Sequence, residues 1–300
     1  MSAVDGSRKR TISSVQNGAA SLNEVRWASS RRIVFDINPD GLLRSVEIGS
    51  RRVVALGSVE NVALEDPGES FSLSGDGRLV AFDTDPPWLA TNQEPTLAIG
   101  LISSTGGHRH LLSKPRNLSD EQPSISPDGR SVAFTRGVSG RGGAITRPSL
   151  LVEAVTGGHV RRLGVSGVSP RWSPNGRWIA FLGGRNHQNK RLEVIPASGG
   201  TPRALRTRVV AFSWSPDSTR LAYVTGATAA SSPGSRALGT IDLNGATQPL
   251  DLGSLPVGSA TPQWSPDSSR IAFTGLDPAN LSKSRVYAID ADGRALRRLA

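Results

Sequence analysis

The sequence predicts an all-β protein, a six-bladed β-propeller of four-stranded antiparallel blades, and three observations carry that prediction. Residues 24–35, 70–82, 122–134, 169–181, 211–223 and 261–273 read almost alike, with Trp27, Leu73, Ile125, Trp172, Trp214 and Trp264 as the equivalent residue. They recur every 42 to 52 residues, the period of a repeat architecture. Each copy carries a short turn and then an apolar–Ala–aromatic triplet. Finally, every segment between turns is too short for a helix.

The turn is the first element of the unit. Ser-Pro-Asp-Gly at 126–129, Ser-Pro-Asn-Gly at 173–176 and Ser-Pro-Asp-Ser at 215–218 and 265–268 fit a type I turn. Ser bonds its own backbone, Pro presets φ, and a small residue closes the fourth position. The flanking segments therefore form a hairpin. In the fourth unit the four strands are expected at 169–173, 178–182, 191–196 and 201–206, split by SPNG, GGRNHQNK and ASGG.

The second strand carries the packing information. Val80-Ala81-Phe82, Val132-Ala133-Phe134, Ile179-Ala180-Phe181, Leu221-Ala222-Tyr223 and Ile271-Ala272-Phe273 repeat the triplet, with Ile33-Val34-Phe35 as its divergent first copy. Period-two alternation places large side chains on one sheet face and alanine on the other. Two apolar faces, one bulky and one thin, require each small sheet to sit between copies of itself. Radial closure of such sheets makes a propeller.

The turn-and-strand signature, complete in RWSPNGRWIAF with RLEVIPASGGTPRAL, resembles the TolB-like, WD-like β-propeller repeat over about residues 24–300. The first unit departs from it with Ala28-Ser29-Ser30-Arg31 at the turn, and the second with Ser74-Gly75-Asp76-Gly77. The resemblance implies a non-enzymatic scaffold for protein–protein interaction, with relatives that often work at the cell envelope or periplasm. It equally admits the propeller domain of a larger peptidase or lyase, gating or binding its substrate.

Residues 1–23 form an N-terminal segment in which 9–15, KRTISSV, reads as an extra outer strand that would close the ring. Either it pairs with the last blade, competing with 295–299, or the chain belongs to a longer array. The first residues carry no apolar run of the signal-peptide kind, and no stretch reaches the ~18 apolar residues of a membrane span. Cysteine is absent, which excludes thiol nucleophiles, thiolate metal sites and disulfides. The expected state is a monomer without cofactor.

The formal charge of +10 rests on arginine, since only Lys9, Lys114, Lys190 and Lys283 are lysines. No block of five or six like charges occurs, so scattering over solvated strands competes with a polyanion site. Nucleic-acid binding is the third functional reading, and the aromatic stacking platform expected for single strands is missing.

Strand direction sorts the loops. The Ser-Pro-Asp-Gly and Gly-Gly turns share one end of the ring; the longer loops 83–96, 136–148, 183–190, 225–236 and 275–284 share the other, where binding residues concentrate. The candidate partner-binding residues are Trp88, Arg136, Arg141, Arg185, His187, Lys190 and Arg236, a basic face for an acidic segment of a protein partner. No G-x-S-x-G elbow occurs, and no catalytic set is expected. His108 and His110 share a strand face without a carboxylate pair. Asp36 to Glu47 matches the EF-hand spacing D-x-[DN]-x-[DN]-G-x5-E, but its flanks are strands where that motif demands helices.

Overall fold

A computed structural model describes residues 21–38, 42–48, 52–58, 71–84, 96–115, 117–139, 145–184, 190–226, 236–258, 260–277 and 280–299. Among them are 24 strands and no helix, arranged in six four-stranded antiparallel sheets. Every sheet is built from strands consecutive in the chain, inner to outer. Blade 1 holds β1 (Ser21–Ser29), β2 (Arg32–Asn38), β3 (Leu42–Glu47) and β4 (Val53–Ser58). Blade 2 holds β5 (Phe71–Leu73), β6 (Leu79–Thr84), β7 (Ala98–Ser103) and β8 (His110–Leu111). Blade 3 has β9 (Ser119–Ile125), β10 (Ser131–Ser139), β11 (Ile145–Ala154) and β12 (Arg161–Arg162). Blade 4 has β13 (Gly167–Trp172), β14 (Trp178–Gly183), β15 (Arg191–Pro196) and β16 (Arg203–Thr207). Blade 5 comprises β17 (Val209–Trp214), β18 (Arg220–Thr225), β19 (Leu238–Asp242) and β20 (Thr247–Pro249). Blade 6 comprises β21 (Gln263–Trp264), β22 (Arg270–Asp277), β23 (Asn280–Asp290) and β24 (Arg297–Arg298). No described helix is long and apolar enough to cross a membrane.

The first hairpin turn is built by its serine. In blades 2 to 6 the Ser Oγ donates to the carboxylate or amide oxygen two residues on, at 2.5–2.8 Å. It also accepts the backbone N–H five residues on at 2.9–3.0 Å. Ser74-Gly75-Asp76-Gly77 makes the same bonds without proline, so Ser and Asp define this turn and Pro only biases it. The fourth position is left-handed, at φ between 60° and 71°. Gly fills it in blades 2 to 4, and Ser218 and Ser268 occupy it in blades 5 and 6. Each of these serines accepts a backbone N–H from the preceding blade's turn, from Asn175 at 3.0 Å and Asp217 at 3.1 Å. Such a bond offsets the strain a non-glycine residue bears there.

The triplet strand packs as its alternation requires. Phe82 joins the cluster shared with blade 1, while Ala81 joins the one shared with blade 3. Likewise Ala133, Ala180 and Ala222 each face the following blade. Phe82, Phe134 and Phe181 are fully buried against that thin face, filling the space between sheets at interior density. The inner-strand tryptophans add polar ties: Trp214 Nε1 donates to the Arg171 carbonyl at 3.1 Å and Trp264 Nε1 to that of Ser213 at 3.3 Å, each one blade back.

Four arginines are used in packing between and within blades. Arg203 lies over Trp178, Arg206 over Tyr223 and Arg220 over Trp264 at 5.9, 5.5 and 5.2 Å, within cation–π range. Arg161 donates across to the Ala197 carbonyl of blade 4 at 2.7 Å.

Candidate functional site

At the long-loop end, the starts of β11, β13 and β15 and the end of β14 converge on a cleft of about 640 Å³ between blades 3 and 4. The walls are cut from small residues. A Cβ on Gly167 would stand 2.4 Å from Phe181, and one on Gly183 would stand 2.7 Å from Glu193 Oε1. Glycine at these positions lets the ring and the carboxylate occupy that space. Arg147, at φ 52°, and Thr146 form one side. Lys190, only 7% exposed, and Arg191 form the other. Glu193 is the one acid among the described lining residues, and Arg191 holds it through Nε and Nη2, both at 2.8 Å. Arg191 and Glu193 offset one another, so among the described lining residues Arg147 and Lys190 leave a formal excess of positive charge, a field that draws anionic groups.

Beneath this end runs a ladder of buried polar side chains linking blades 2, 3 and 4. Gln122 and Ser169 each precede a proline and sit at φ 59° and 54°, where β9 and β13 slip register against β10 and β14. Each backbone N–H there is satisfied from the blade before. Gln122 donates to both Asp83 oxygens at 3.0 and 3.2 Å, and Ser169 to Gln122 Oε1 at 2.7 Å. Thr135 donates to the same Gln122 oxygen at 3.3 Å.

Acids crowd this ladder. Burial, the neighbouring Glu121 charge and Asp120 push Asp83 well above the usual carboxylate range, against the Gln122 hydrogen bond and Arg171. Burial first, then Asp120, raises Glu121 to about 7 against the pull of the Ser119 hydrogen bond. Glu153 rises to about 6, from burial and then Asp120, opposed by Arg136. Asp120 is raised by burial although Arg136 clamps it in two bonds of 2.5 and 2.6 Å. Glu121 Oε1 and Glu153 Oε2 have no hydrogen-bond partner. Burial thus raises the proton affinity of each of these carboxyls, and among the described residues no group of three or more His, Cys, Asp or Glu side chains is placed to hold a metal.

The sequence candidates land unevenly. Trp88, Arg141, Arg185 and His187 lie outside the described residues. Lys190 is in the cleft wall. Arg136 belongs to β10, half-buried, clamped to Asp120 with its guanidinium 5.7 Å over Phe134. Burial and these bonds make it part of the ladder. Arg236 is half-buried just before β19, its Nε without a partner. Asp83, assigned from sequence to the start of a loop, is instead buried within β6. His108 and His110 are exposed. The EF-hand pattern is spread along a ladder: Asp36 pairs with Leu43, and Glu47 with Arg32 four steps away, about 13 Å at strand rise. Glu47 is also held by Arg31 and Arg32 at 3.7 and 3.5 Å.

Arg191, Glu193 and Gly167 went unrecognised because they read as ordinary strand residues. The ladder had a legible signal, a polar residue just after the triplet at Asp36, Asp83 and Thr135.

No protein-family model matches the chain, and no curated protein matches it by sequence. Solved structures do. TolB from Acinetobacter baumannii superimposes over 91% of this chain and 64% of its own, with a TM-score of 0.59 at 20% identity. An oligogalacturonate lyase in complex with manganese matches over 90% and 74%, with a TM-score of 0.65 at 15% identity. A puromycin-hydrolyzing peptidase of Mycobacterium tuberculosis matches over 92% and 44%, with a TM-score of 0.64 at 16% identity. This chain thus spans under two thirds of TolB and less than half of the peptidase.

Proposed function

We propose, from a fold that is a TolB-like six-bladed β-propeller, that the chain is a non-enzymatic interaction scaffold whose blade 3/4 cleft docks an acidic segment of a protein partner. The observation that carries this reading is the charge of the cleft: Arg191 pairs with Glu193, and Arg147 and Lys190 add positive charge to the described lining. Rigid glycine-cut walls with a few charged groups suit recognition of a short segment. The location implied by the resemblance, the cell envelope, belongs to the same proposal.

The test is fluorescence anisotropy with a labelled hepta-glutamate peptide and a hepta-lysine control. Wild-type protein should bind the acidic peptide alone, weakening as salt rises. The variant Arg147→Glu with Lys190→Gln should lose at least tenfold in affinity. Equal affinity in wild type and variant would remove the cleft from the proposal.

A second reading, the propeller domain of a larger peptidase or lyase, draws support from the 44% share that this chain spans of the peptidase. A hydrolase or lyase domain encoded in frame beside this chain would favour it over the scaffold.

A further inference from the structure

Asn-Gly is the dipeptide in which asparagine gives up its side-chain amide most readily, because a glycine nitrogen has no side chain beside it to hinder attack. The described residues hold two such pairs, both in hairpin turns: Asn175-Gly176 between β13 and β14, and Asn244-Gly245 between β19 and β20. A third, at 17–18, lies outside the described residues, as does the outer strand expected at 9–15. The two turns close alike, Gly176 donating its N–H to the Ser173 carbonyl at 2.8 Å and Gly245 to that of Asp242 at 3.1 Å. Their asparagines are held differently.

Asn175 is locked through both side chain and backbone. Its Oδ1 accepts Ser173 Oγ at 2.8 Å and the Arg177 N–H at 3.0 Å, and its own N–H goes to Ser218 Oγ of blade 5 at 3.0 Å. The hairpin it closes is an inner one, with Ile179 to Gly183 of β14 buried. Bringing its Cγ onto the Gly176 nitrogen would break these bonds together. At Asn244 the backbone N–H is bonded to Asp242 Oδ1 at 2.8 Å, but the side-chain amide is exposed and makes no hydrogen bond among the described residues. A Cβ on Gly245 would meet nothing within 4 Å. The turn leads into β20, the outermost strand of its blade, where Thr247, Gln248 and Pro249 are all exposed. An edge hairpin of that kind opens locally at lower cost than a buried inner one.

We infer that Asn244 is a site of spontaneous deamidation through a succinimide, and that the fold keeps Asn175 from the same reaction. The Gly245 nitrogen bonds to Asn244 Cγ, its proton passes through solvent to the side-chain amide, and the Cγ–Nδ2 bond breaks with loss of ammonia. Water then opens the ring. Hydrolysis of the Cγ–N bond leaves an aspartate, and hydrolysis of the backbone C–N bond leaves an isoaspartate whose side-chain carbon has joined the main chain. Both products put a negative charge beside Asp242. The isoaspartate also lengthens the turn, moving Thr247 and Gln248 against Ile241 and Thr240 in the ladder. Gln248 Nε2 donates to the Asp292 carbonyl of blade 6 at 2.7 Å, so the change reaches the outer edge of the blade 5/6 boundary. At 175 the same chemistry would yield the aspartate that blades 2, 3, 5 and 6 already carry at that turn position.

Incubation of the whole chain at pH 8, followed by digestion and peptide mapping by mass spectrometry, reads both sites in one sample. Asn244 should convert at least tenfold faster than Asn175 in the native protein, and the two rates should converge in urea, where neither turn is held. Ser173→Ala, folded by circular dichroism, should speed conversion of Asn175 and leave that of Asn244 unchanged. In the fraction carrying isoaspartate at 244, hydrogen exchange should quicken in β20 and stay as it was in β14. Native rates that are equal or reversed would overturn the inference, as would an Asn244 that converts only in urea. A ratio that persists in urea, or an Asn175 rate unmoved by Ser173→Ala, would overturn the protection by the fold and place the difference in the local sequences Leu-Asn-Gly-Ala and Pro-Asn-Gly-Arg. Unaltered exchange in β20 would overturn the effect on the blade 5/6 boundary.

Discussion

Glu121→Gln should stabilise the protein at pH 8 and do almost nothing at pH 4.5. Glu121 is buried in β9 with one oxygen unpartnered, and its native titration lies at about 7 against an ordinary 4.5. At 1.36 kcal/mol for each tenfold in proton affinity, that gap is about 3 kcal/mol in favour of the neutral form. The sign follows from linkage. A carboxyl whose native value is raised contributes stability that is fully present below the unfolded value and is lost as pH rises through the native one. Wild type therefore bears the cost of the buried charge above about pH 7 and is relieved of it near pH 4.5. Glutamine keeps the shape and an oxygen for the Ser119 bond but never ionises. The expected gain at pH 8 is about 3 kcal/mol, or about 6 °C in Tm at roughly 2 °C per kcal/mol for a chain of this length. Thermal and urea unfolding of both proteins at pH 8 and pH 4.5 measure it. A difference in stability that is the same at both pH values, or a loss at pH 8, would refute the electrostatic account of the ladder.

Asp83 and Glu153 are raised in the same direction, so wild-type Tm should climb as pH falls from 8 towards 5. It should then drop as the turn aspartates Asp76, Asp128, Asp217 and Asp267, held low by their serine and backbone bonds, take up protons, Asp267 at about 2. A Tm maximum above pH 7 would contradict this. Arg136→Ala leaves buried Asp120 without its clamp and should cost about 3–5 kcal/mol, read as a shift of the urea midpoint. Ser268→Ala and Ser268→Gly both lose the Asp217 bond, but Ala keeps the strained φ of 60°, so it should cost about 1 kcal/mol more than Gly; the reverse order in thermal melts would refute the strain at this position. Gly167→Ala drives a methyl to 2.4 Å from Phe181 and should cost about 1–3 kcal/mol by overpacking, with parallel loss of hepta-glutamate binding.

The fold was legible because a propeller repeats its instructions. The triplet states which face is thin, and the serine turn states where each hairpin bends; both act over a few residues. What lay outside that reach depends on neighbours in the next blade. Asp83 looks like a strand-ending acid until Gln122, 39 residues later, presents its N–H. Arg136 looks like a loop cation until Asp120 is found opposite it in the register. Ser218 and Ser268 look like imperfect glycines, and the turn they accept from is some 43 to 51 residues earlier. Lys190 was nameable from loop position, whereas Arg191 and Glu193 became part of a site only once β11 of another blade formed the opposite wall.

Each described sheet is made of four successive strands, and none lends a strand to its neighbour. The order of the blades along the gene is thereby separable from their order around the ring. A circular permutant opened at Arg208, between β16 and β17, with the original ends joined by a flexible linker, would still encode six whole sheets and would move the chain's termini from the blade 6/1 boundary to the 4/5 boundary.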